Sequence, residues 1–184
     1  MISEVLRRTL VRNRILVMSA ASLVCAVILG FSALVRIPIP GTPVPVTLQT
    51  FALLACAGAL TRYYALQMVA WYVLLGLVGA PFFAGGSGYA HIMGATGGYI
   101  WGFFLAAAVV GFFGDTKRSL FSGMAIYLVA ALALYVPGLL QLKFVTGVNW
   151  PNTLAMGFFP FIITDIVKAV AAYGGVSFSK RIAH

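Results

Sequence analysis

The sequence predicts an all-α integral membrane protein with six transmembrane helices, and three observations support this. Of its 184 residues, 62% are hydrophobic and 8% are charged, whereas soluble proteins average about 25% charged residues. Apolar segments recur along the chain without the alternating pattern of about ten residues that marks barrel strands. Basic residues are concentrated in the breaks between these segments. We therefore expect one membrane domain over residues 1–184, with the lipid bilayer as its main solvent.

Six apolar segments account for the predicted spans. A helix that crosses the hydrocarbon core needs about 20 apolar residues, or about 17 at the short end. The first, 15–34, is longer than a secretory signal core and has no clear cleavage site after it, so we expect it to be retained. The second, 48–60, is short, so part of a partly buried loop would have to complete the span. The other four spans are expected at 64–80, 97–113, 120–137 and 153–173.

Three long breaks separate these segments on one side of the membrane. Residues 36–47 contain four prolines, and residues 81–98 contain six glycines. Proline stiffens a loop into extended form, and glycine lets backbone N–H groups come close to a ligand. Residues 138–152 form the third predicted loop. The other two breaks, near Arg62 and at 114–119, are short and basic.

The distribution of basic residues predicts the orientation. With the N-terminus in the cytoplasm, Arg36 and Lys143 are the two basic residues outside. The nine inside are Arg7, Arg8, Arg12, Arg14, Arg62, Lys117, Arg118, Lys180 and Arg181. This asymmetry follows the positive-inside rule. It predicts that both termini are cytoplasmic, that the protein lies in the cytoplasmic (inner) membrane, and that the long loops capture something from outside.

Two charged residues lie within the sixth span. Asp165 and Lys168 are three positions apart, so they share one face of a helix. A charge near mid-bilayer costs about 2.5–3.5 kcal/mol on insertion scales, so such residues usually pair or face a polar cavity. The pair is either a structural pin for the helix or the lining of a ligand site. A carboxylate accepts N–H donors and an ammonium donates to oxygen, which together suit a cyclic urea, an amide or a zwitterion.

Several other functions are excluded or disfavoured. The net charge of +9 is spread over short breaks, which does not match a nucleic-acid-binding surface. No Gly-Lys-Ser/Thr sequence occurs, so ATP must be handled by another chain or not at all. Ser87 and His91 share a loop, but the acid that could complete a triad, Asp165, is expected deep in the membrane, so we predict no enzyme. A proton relay is also disfavoured, because Asp165 is the one acidic residue within the predicted spans.

Small residues in the first two spans are expected to serve packing. Ser22, Ala26 and Gly30 form a stripe at four-residue spacing, which would let a neighbouring helix approach closely. That neighbour is either another helix of this chain or a partner membrane subunit. Cys25 and Cys56 lie in separate apolar runs without paired spacing, so neither a disulfide nor a metal site is expected.

Three motifs resemble one known family. PVPVTLQTF at 43–51, GLVGAPFFAGGSG at 76–88 and GATGGYIWGF at 94–103 resemble the BioY family, the biotin-specific S components of energy-coupling factor (ECF) transporters. The resemblance covers about 30–172. It implies an ECF S-component-like bundle of six helices that carries biotin as transported ligand without a cofactor of its own. It also implies partners, namely a transmembrane coupling subunit and two ATPase subunits.

The resemblance also implies which residues bind substrate. They would be Gln49, Gly85, Gly86, Ser87, Thr96, Gly97, Gly98, Tyr99, Asp165 and Lys168. Ala95 stands where the family usually has proline, and Ser87 and Ile100 stand where some members have Asn and Arg. The biotin carboxylate would then be held by Ser87, by backbone N–H groups or by Arg36. An S component for another vitamin, such as thiamine, and a stand-alone ion-coupled carrier are the alternatives.

Overall fold

Helices dominate the computed structural model, which describes residues 2–114 and 119–182. The elements are α1 (Ile2–Ser32), β1 (Arg36–Ile37), β2 (Val46–Thr47), α2 (Gln49–Ala59), α3 (Arg62–Leu77), α4 (Tyr89–Met93), α5 (Gly97–Phe113), α6 (Leu120–Ala133), α7 (Tyr135–Thr146), α8 (Trp150–Gly157) and α9 (Phe159–Ile182). Helix α5 lies centrally, against α2, α3, α6 and α7, while α9 packs on α2 and α6 and α1 packs on α3. Outside the described residues lie Asp115, Lys117, Arg118 and the side chains of Arg7, Arg8 and Arg12.

Three helical stretches in the described part of the chain are long and apolar enough to cross a membrane. They are Asn13–Ser32, Leu120–Thr146 and Phe159–Ile182, and Gln49–Ala59 and Gly97–Phe113 are shorter apolar helices. Helix α9 shows which side chains point out of the protein and which point into it. Ile163 is 73% exposed and Val167 is 63% exposed, while Asp165 between them is 6% exposed. Apolar side chains point outward and the charge points inward, which is the arrangement expected of a helix in lipid.

The third predicted loop, 138–152, is wrong over most of its length. Helix α7 runs to Thr146, and a single residue, Leu134, separates it from α6. Pro137 explains this break, because proline has no N–H and its ring clashes with the carbonyl four residues earlier. The chain therefore kinks at Leu134 and resumes as a helix at Tyr135. Proline and glycine indicated a loop in the sequence, but here they mark a kink.

A second proline produces the break between α8 and α9. Pro160 has no N–H to offer the carbonyl of Met156, and the Phe161 N–H bonds instead to the carbonyl of Phe158 at 3.0 Å. The released carbonyls find other donors. The Thr42 hydroxyl donates to the Met156 carbonyl at 2.6 Å, and the hydroxyl of Tyr99 donates to the next carbonyl, that of Gly157, at 2.8 Å. The break thus anchors both the proline-rich loop and α5.

The proline-rich loop is closed at its base by a short antiparallel ribbon. Strands β1 and β2 pair with Arg36 opposite Thr47 and Ile37 opposite Val46. The ribbon leads directly into α2, whose first residue is Gln49. The Thr42 bond described above fixes the middle of the loop over α8. The loop is therefore held at both its base and its middle.

The stripe of small residues is used inside the chain. Ser22 and Ala26 are fully buried, and the Ser22 hydroxyl donates to Gln67 of α3 at 3.0 Å. Gly30 lies against the ring of Phe82, where a β-carbon would collide. The assignment of this stripe to partner docking is therefore wrong, because its surface is already covered by α3 and the loop after it. The alternative of packing within the chain is confirmed.

The two cysteines lie together, which the sequence did not indicate. Cys25 of α1 and Cys56 of α2 are neighbours across the contact between these two helices. Both are unbridged and half-buried. Sequence spacing reveals such a pair only within one helix or motif, and these residues meet through tertiary packing.

Glycines on one face of α5 allow it to approach the kink between α6 and α7. A β-carbon on Gly98 would collide with the Pro137 carbonyl and would lie 2.8 Å from the Gln141 β-carbon. One on Gly102 would collide with the Leu134 carbonyl. By contrast, Gly174 in α9 has nothing within 4 Å of the equivalent position. Packing therefore requires glycine at positions 98 and 102 of α5 but not at position 174 of α9.

We predict opposite effects for two glycine-to-alanine substitutions. Gly98→Ala overpacks a backbone contact and should lower the free energy of unfolding by about 1–3 kcal/mol. Gly174→Ala meets open space and should be neutral or stabilise the helix by up to about 1 kcal/mol. Thermal unfolding in detergent, followed with a thiol-reactive fluorescent dye on the two cysteines, measures both. Equal shifts in melting temperature would contradict the packing described for α5.

Candidate functional site

A cavity lies among α2, α3, α5, α7 and α9, beneath the proline-rich loop. The space within it that the centres of water molecules can occupy is about 70 Å³. One water needs about 10–15 Å³ by this measure, so the cavity has room for several. Its polar lining is Thr47, Gln49, Thr50, Tyr72, Thr96, Tyr99, Tyr135, Asp165 and Lys168. Its apolar lining is Val44, Pro45, Phe83, Ala84, Ile100, Phe103, Leu134 and Phe161. Polar groups that converge on a pocket with a large apolar surface are typical of small-molecule sites.

The charged pair of α9 forms one wall of this cavity. The Lys168 ammonium donates to Asp165 Oδ1 at 2.8 Å, and the Tyr135 hydroxyl donates to Asp165 Oδ2 at 2.6 Å. Phe161, four residues before Asp165, lines the same wall, as the helical period requires. Each carboxylate oxygen therefore has a donor from the protein and retains a lone pair for a ligand.

A second polar cluster forms another part of the cavity wall. The Gln49 amide donates to the Tyr72 hydroxyl at 2.8 Å, and that hydroxyl donates to the Phe82 carbonyl at 3.0 Å. The Thr47 hydroxyl donates to Gln49 Oε1 at 3.3 Å. All of these groups are uncharged, and they satisfy one another in the protein interior. This wall is therefore polar without carrying a net charge.

Aromatic rings cover much of the remaining surface. Tyr72 packs against Phe83 and Phe103, with ring centroids 5.6 and 5.7 Å apart. Tyr99 meets Tyr135 edge to face at 6.1 Å. Such packed rings are rigid and present apolar faces and edges to a ligand. The cavity is suited to a compact apolar ring system that carries one group able both to donate and to accept hydrogen bonds.

The glycine-rich loop reaches the cavity through a tight turn. The backbones of Phe83 and Gly86 bond to each other in both directions, at 3.0 and 3.3 Å. Between them Ala84 has a φ of 44° and Gly85 has a φ of 131°. Positive φ is easy for glycine and costs a residue with a β-carbon about 1–2 kcal/mol. The turn therefore depends on its surroundings, and Arg36 Nη1 donates to the Ala84 carbonyl at 3.2 Å.

Half of the residues predicted to bind substrate lie at the cavity. Gln49, Thr96, Tyr99, Asp165 and Lys168 line it. The other five, Gly85, Gly86, Ser87, Gly97 and Gly98, do not line it, and their assignment to substrate stays a prediction. From the glycine-rich loop it is Phe83 and Ala84 that face the cavity.

The residues away from the cavity have other contacts. Ser87 is exposed, and Gly86 lies against the ring of His91. That ring stacks on Phe83 at 6.1 Å, and its partial burial lowers the pKa of His91 below the ordinary value. A β-carbon on Gly97 would collide with the carbonyl of Ile92. These positions shape the loop and support the lining behind it.

Sequence reasoning missed several lining residues. Tyr72 and Tyr135 were available as hydroxyl groups inside apolar spans, and Phe161 lies one helical turn before Asp165. Thr47 and Thr50 flank Gln49 in a motif that was itself noted. A polar side chain in a predicted span was thus the signal, although it does not say which tyrosine reaches the carboxylate. Among residues 2–114 and 119–182, no three His, Cys, Asp or Glu side chains cluster as metal ligands would.

Comparison with known proteins identifies the family. The model of the BioY family matches residues 7–183. The chain belongs to the BioY family. A biotin transporter BioY of Thermotoga maritima is 39% identical over 141 residues, which cover 74% of this chain and 80% of that protein. Biotin transporter BioY2 of Lactococcus lactis subsp. cremoris is 35% identical over 149 residues, which cover 79% and 82%.

A solved structure has the same fold. The crystal structure of the S-component for biotin from an ECF-type ABC transporter superposes with a TM-score of 0.83. It covers 92% of this BioY-family chain and 93% of its own, at 24% sequence identity. The helical architecture described above is therefore that of an S component.

We predict that two buried tyrosine hydroxyls differ in their effect on stability. Tyr135→Phe removes a donor from a buried carboxylate and should lower the free energy of unfolding by about 1.5–3 kcal/mol. Tyr127→Phe is the matched control, because the Tyr127 hydroxyl is buried without a hydrogen-bond partner in the described part of the protein. Its loss should be neutral or stabilising. Thermal unfolding in detergent compares the two, and equal destabilisation would refute the role given to Tyr135.

Proposed function

We propose that this BioY-family protein is the biotin-binding membrane subunit of a biotin uptake system and has no catalytic activity. The observation that carries the proposal is the Asp165–Lys168–Tyr135 cluster at the wall of an aromatic cavity. Curated relatives that cover most of the chain are named as biotin transporters. Both lines of argument point to the same ligand.

The chemistry of biotin matches the two kinds of wall. Its cyclic urea presents N–H donors and a carbonyl acceptor, and its fused rings are otherwise apolar. Asp165 accepts from a urea N–H, and Lys168, which has three donors, gives one to the urea carbonyl while holding Asp165. The rings pack on Phe83, Phe103 and Tyr72. The charges of Asp165 and Lys168 offset each other, which favours an uncharged group over a cationic vitamin such as thiamine at this depth.

For the membrane arrangement, we infer six spans with both termini in the cytoplasm. Arg62 begins α3, and Tyr72, which lines the cavity, lies about 15 Å further along that helix at 1.5 Å per residue. Lys180 and Arg181 lie in the last turn of α9, about 22–24 Å beyond Asp165 by the same rise. The basic ends of both helices are thus remote from the cavity. The positive-inside rule then favours a cavity close to the outer face.

Energy for uptake would come from partner subunits. The chain contains no Gly-Lys-Ser/Thr sequence for nucleotide phosphates. Its fold is that of an S component of an ECF-type transporter. We therefore propose that in the cytoplasmic membrane it assembles with an ECF transmembrane coupling subunit and two ATPase subunits. Biotin uptake in proteoliposomes only when these subunits and ATP are present would support this, whereas uptake by the chain alone would indicate a stand-alone carrier.

We predict saturable binding of radiolabelled biotin to the purified protein in detergent. Unlabelled biotin should displace the label and thiamine should not. Asp165→Asn should weaken binding tenfold or more, because the amide has no charge and a single acceptor oxygen to offer Lys168, Tyr135 and the urea, at about 1.5–3 kcal/mol. Lys168→Gln should also weaken binding.

Lys143→Gln is the control for the lysine variant. Lys143 lies outside the cavity, where it donates to the Val148 carbonyl at 3.2 Å and stacks over Trp150 at 5.2 Å. Its substitution should leave binding unchanged. Displacement by thiamine, or full affinity in Asp165→Asn, would contradict the proposed ligand or the proposed site, respectively.

A further inference from the structure

We propose that Arg36, at the mouth of the cavity, binds the carboxylate at the free end of the ligand and makes the protein selective for an anionic tail. The inference rests on the proposed function, because biotin carries such a tail on its ring system. Three contacts place the side chain of Arg36 beside residues that line the cavity. Its positive charge then favours an anionic group of the ligand.

The first contact comes from the ribbon. Arg36 pairs directly with Thr47, and residues opposite each other on antiparallel strands project to the same face with β-carbons about 4.5–5.5 Å apart. The Thr47 side chain bonds to Gln49, and both residues line the cavity. The Arg36 side chain therefore leaves the ribbon on the cavity side.

The other two contacts come from the glycine-rich loop. Arg36 Nη1 donates to the carbonyl of Ala84, and Ala84 lines the cavity. A β-carbon on Gly85 would collide with the same nitrogen, so glycine leaves the space that the guanidinium occupies. Arg36 does not itself line the cavity, but it is exposed and links the proline-rich loop to the glycine-rich loop at residues that do. We take this exposed edge as the mouth of the cavity.

Charge distinguishes the mouth from the interior. Inside, the charge of Lys168 is offset by Asp165 at 2.8 Å. In the described residues no acidic side chain pairs with Arg36, which is exposed to solvent. A ligand that reaches from the α9 pair to the mouth therefore meets a net positive charge at its outer end. This suits a carboxylate and not a neutral or cationic tail.

The guanidinium has donors to spare for this role. It carries five N–H groups in a planar fork that matches a carboxylate with two parallel bonds. The Ala84 carbonyl is bonded by Nη1, so the remaining N–H groups can face a ligand. Two other positions are less suitable, namely Ser87, which was also expected from the sequence to hold the carboxylate, and Ile100, which stands where some family members have arginine. Ser87 is exposed and does not line the cavity, and Ile100 lines it but is apolar.

The test compares biotin with biotinamide, which keeps the rings and chain but ends in an uncharged carboxamide. Dissociation constants are measured on the full chain in detergent for wild type, Arg36→Gln, Arg36→Lys and Arg62→Gln. Wild type should prefer biotin about tenfold or more, as expected for a charge-assisted hydrogen bond. Arg36→Gln should abolish the preference by weakening biotin alone. Arg36→Lys should keep part of it, since the charge remains but the planar fork is lost.

Arg62→Gln is the matched control, because the Arg62 guanidinium lies over Phe112 at 6.0 Å, at the far end of α3. It should leave the preference intact. If Arg36→Gln retains the preference, or weakens both ligands equally, the inference is wrong while the proposed function stands. If wild type binds neither ligand, the proposed function itself fails. Unchanged binding of biotinamide by Arg36→Gln shows that this variant is folded.

Discussion

The fold is organised around the need to keep two charges away from lipid. Asp165 and Lys168 lie within an apolar helix, where an unpaired charge is expensive. Pairing at 2.8 Å, together with the hydroxyl of Tyr135, makes the carboxylate tolerable in the interior. This fixes the rotation of α9, which turns Ile163 and Val167 outward. The cavity lies on the buried side of α9, where the two charges face other polar groups of the protein and not lipid.

Proline breaks supply the rest of the polar framework. Pro137 kinks the chain so that α7 begins at Tyr135, next to the carboxylate. Pro160 interrupts the last helical segment and releases backbone carbonyls that accept from Thr42 and Tyr99. A helix without these breaks would satisfy its own carbonyls and offer nothing to a loop or to a neighbouring helix. The residues that disturb helices most are therefore those that join the site to the proline-rich loop.

The sequence could predict what depends on local periodicity. Spacing alone placed Asp165 and Lys168 on one face, and the apolar run at 97–113 coincides with α5. Contacts between residues that are far apart in the sequence could not be predicted from it. Nothing local shows that Cys25 meets Cys56, or that Gly98 is required by the carbonyl of Pro137 and not by a ligand. A glycine that admits a backbone atom and a glycine that admits a substrate look the same in one sequence.

The interior and the mouth of this cavity recognise different parts of a ligand. The α9 pair is neutral in sum, so it can read the pattern of donors and acceptors on a ring but cannot select for the charge of the whole ligand. Charge selection must then arise where a cation lies unpaired by an acid within the described chain, and Arg36 occupies that place between two loops. Because its guanidinium is exposed, water and salt weaken its attraction. Its contribution is therefore limited to the preference of about tenfold for an anionic tail and to a faster capture, while most of the affinity comes from the buried walls.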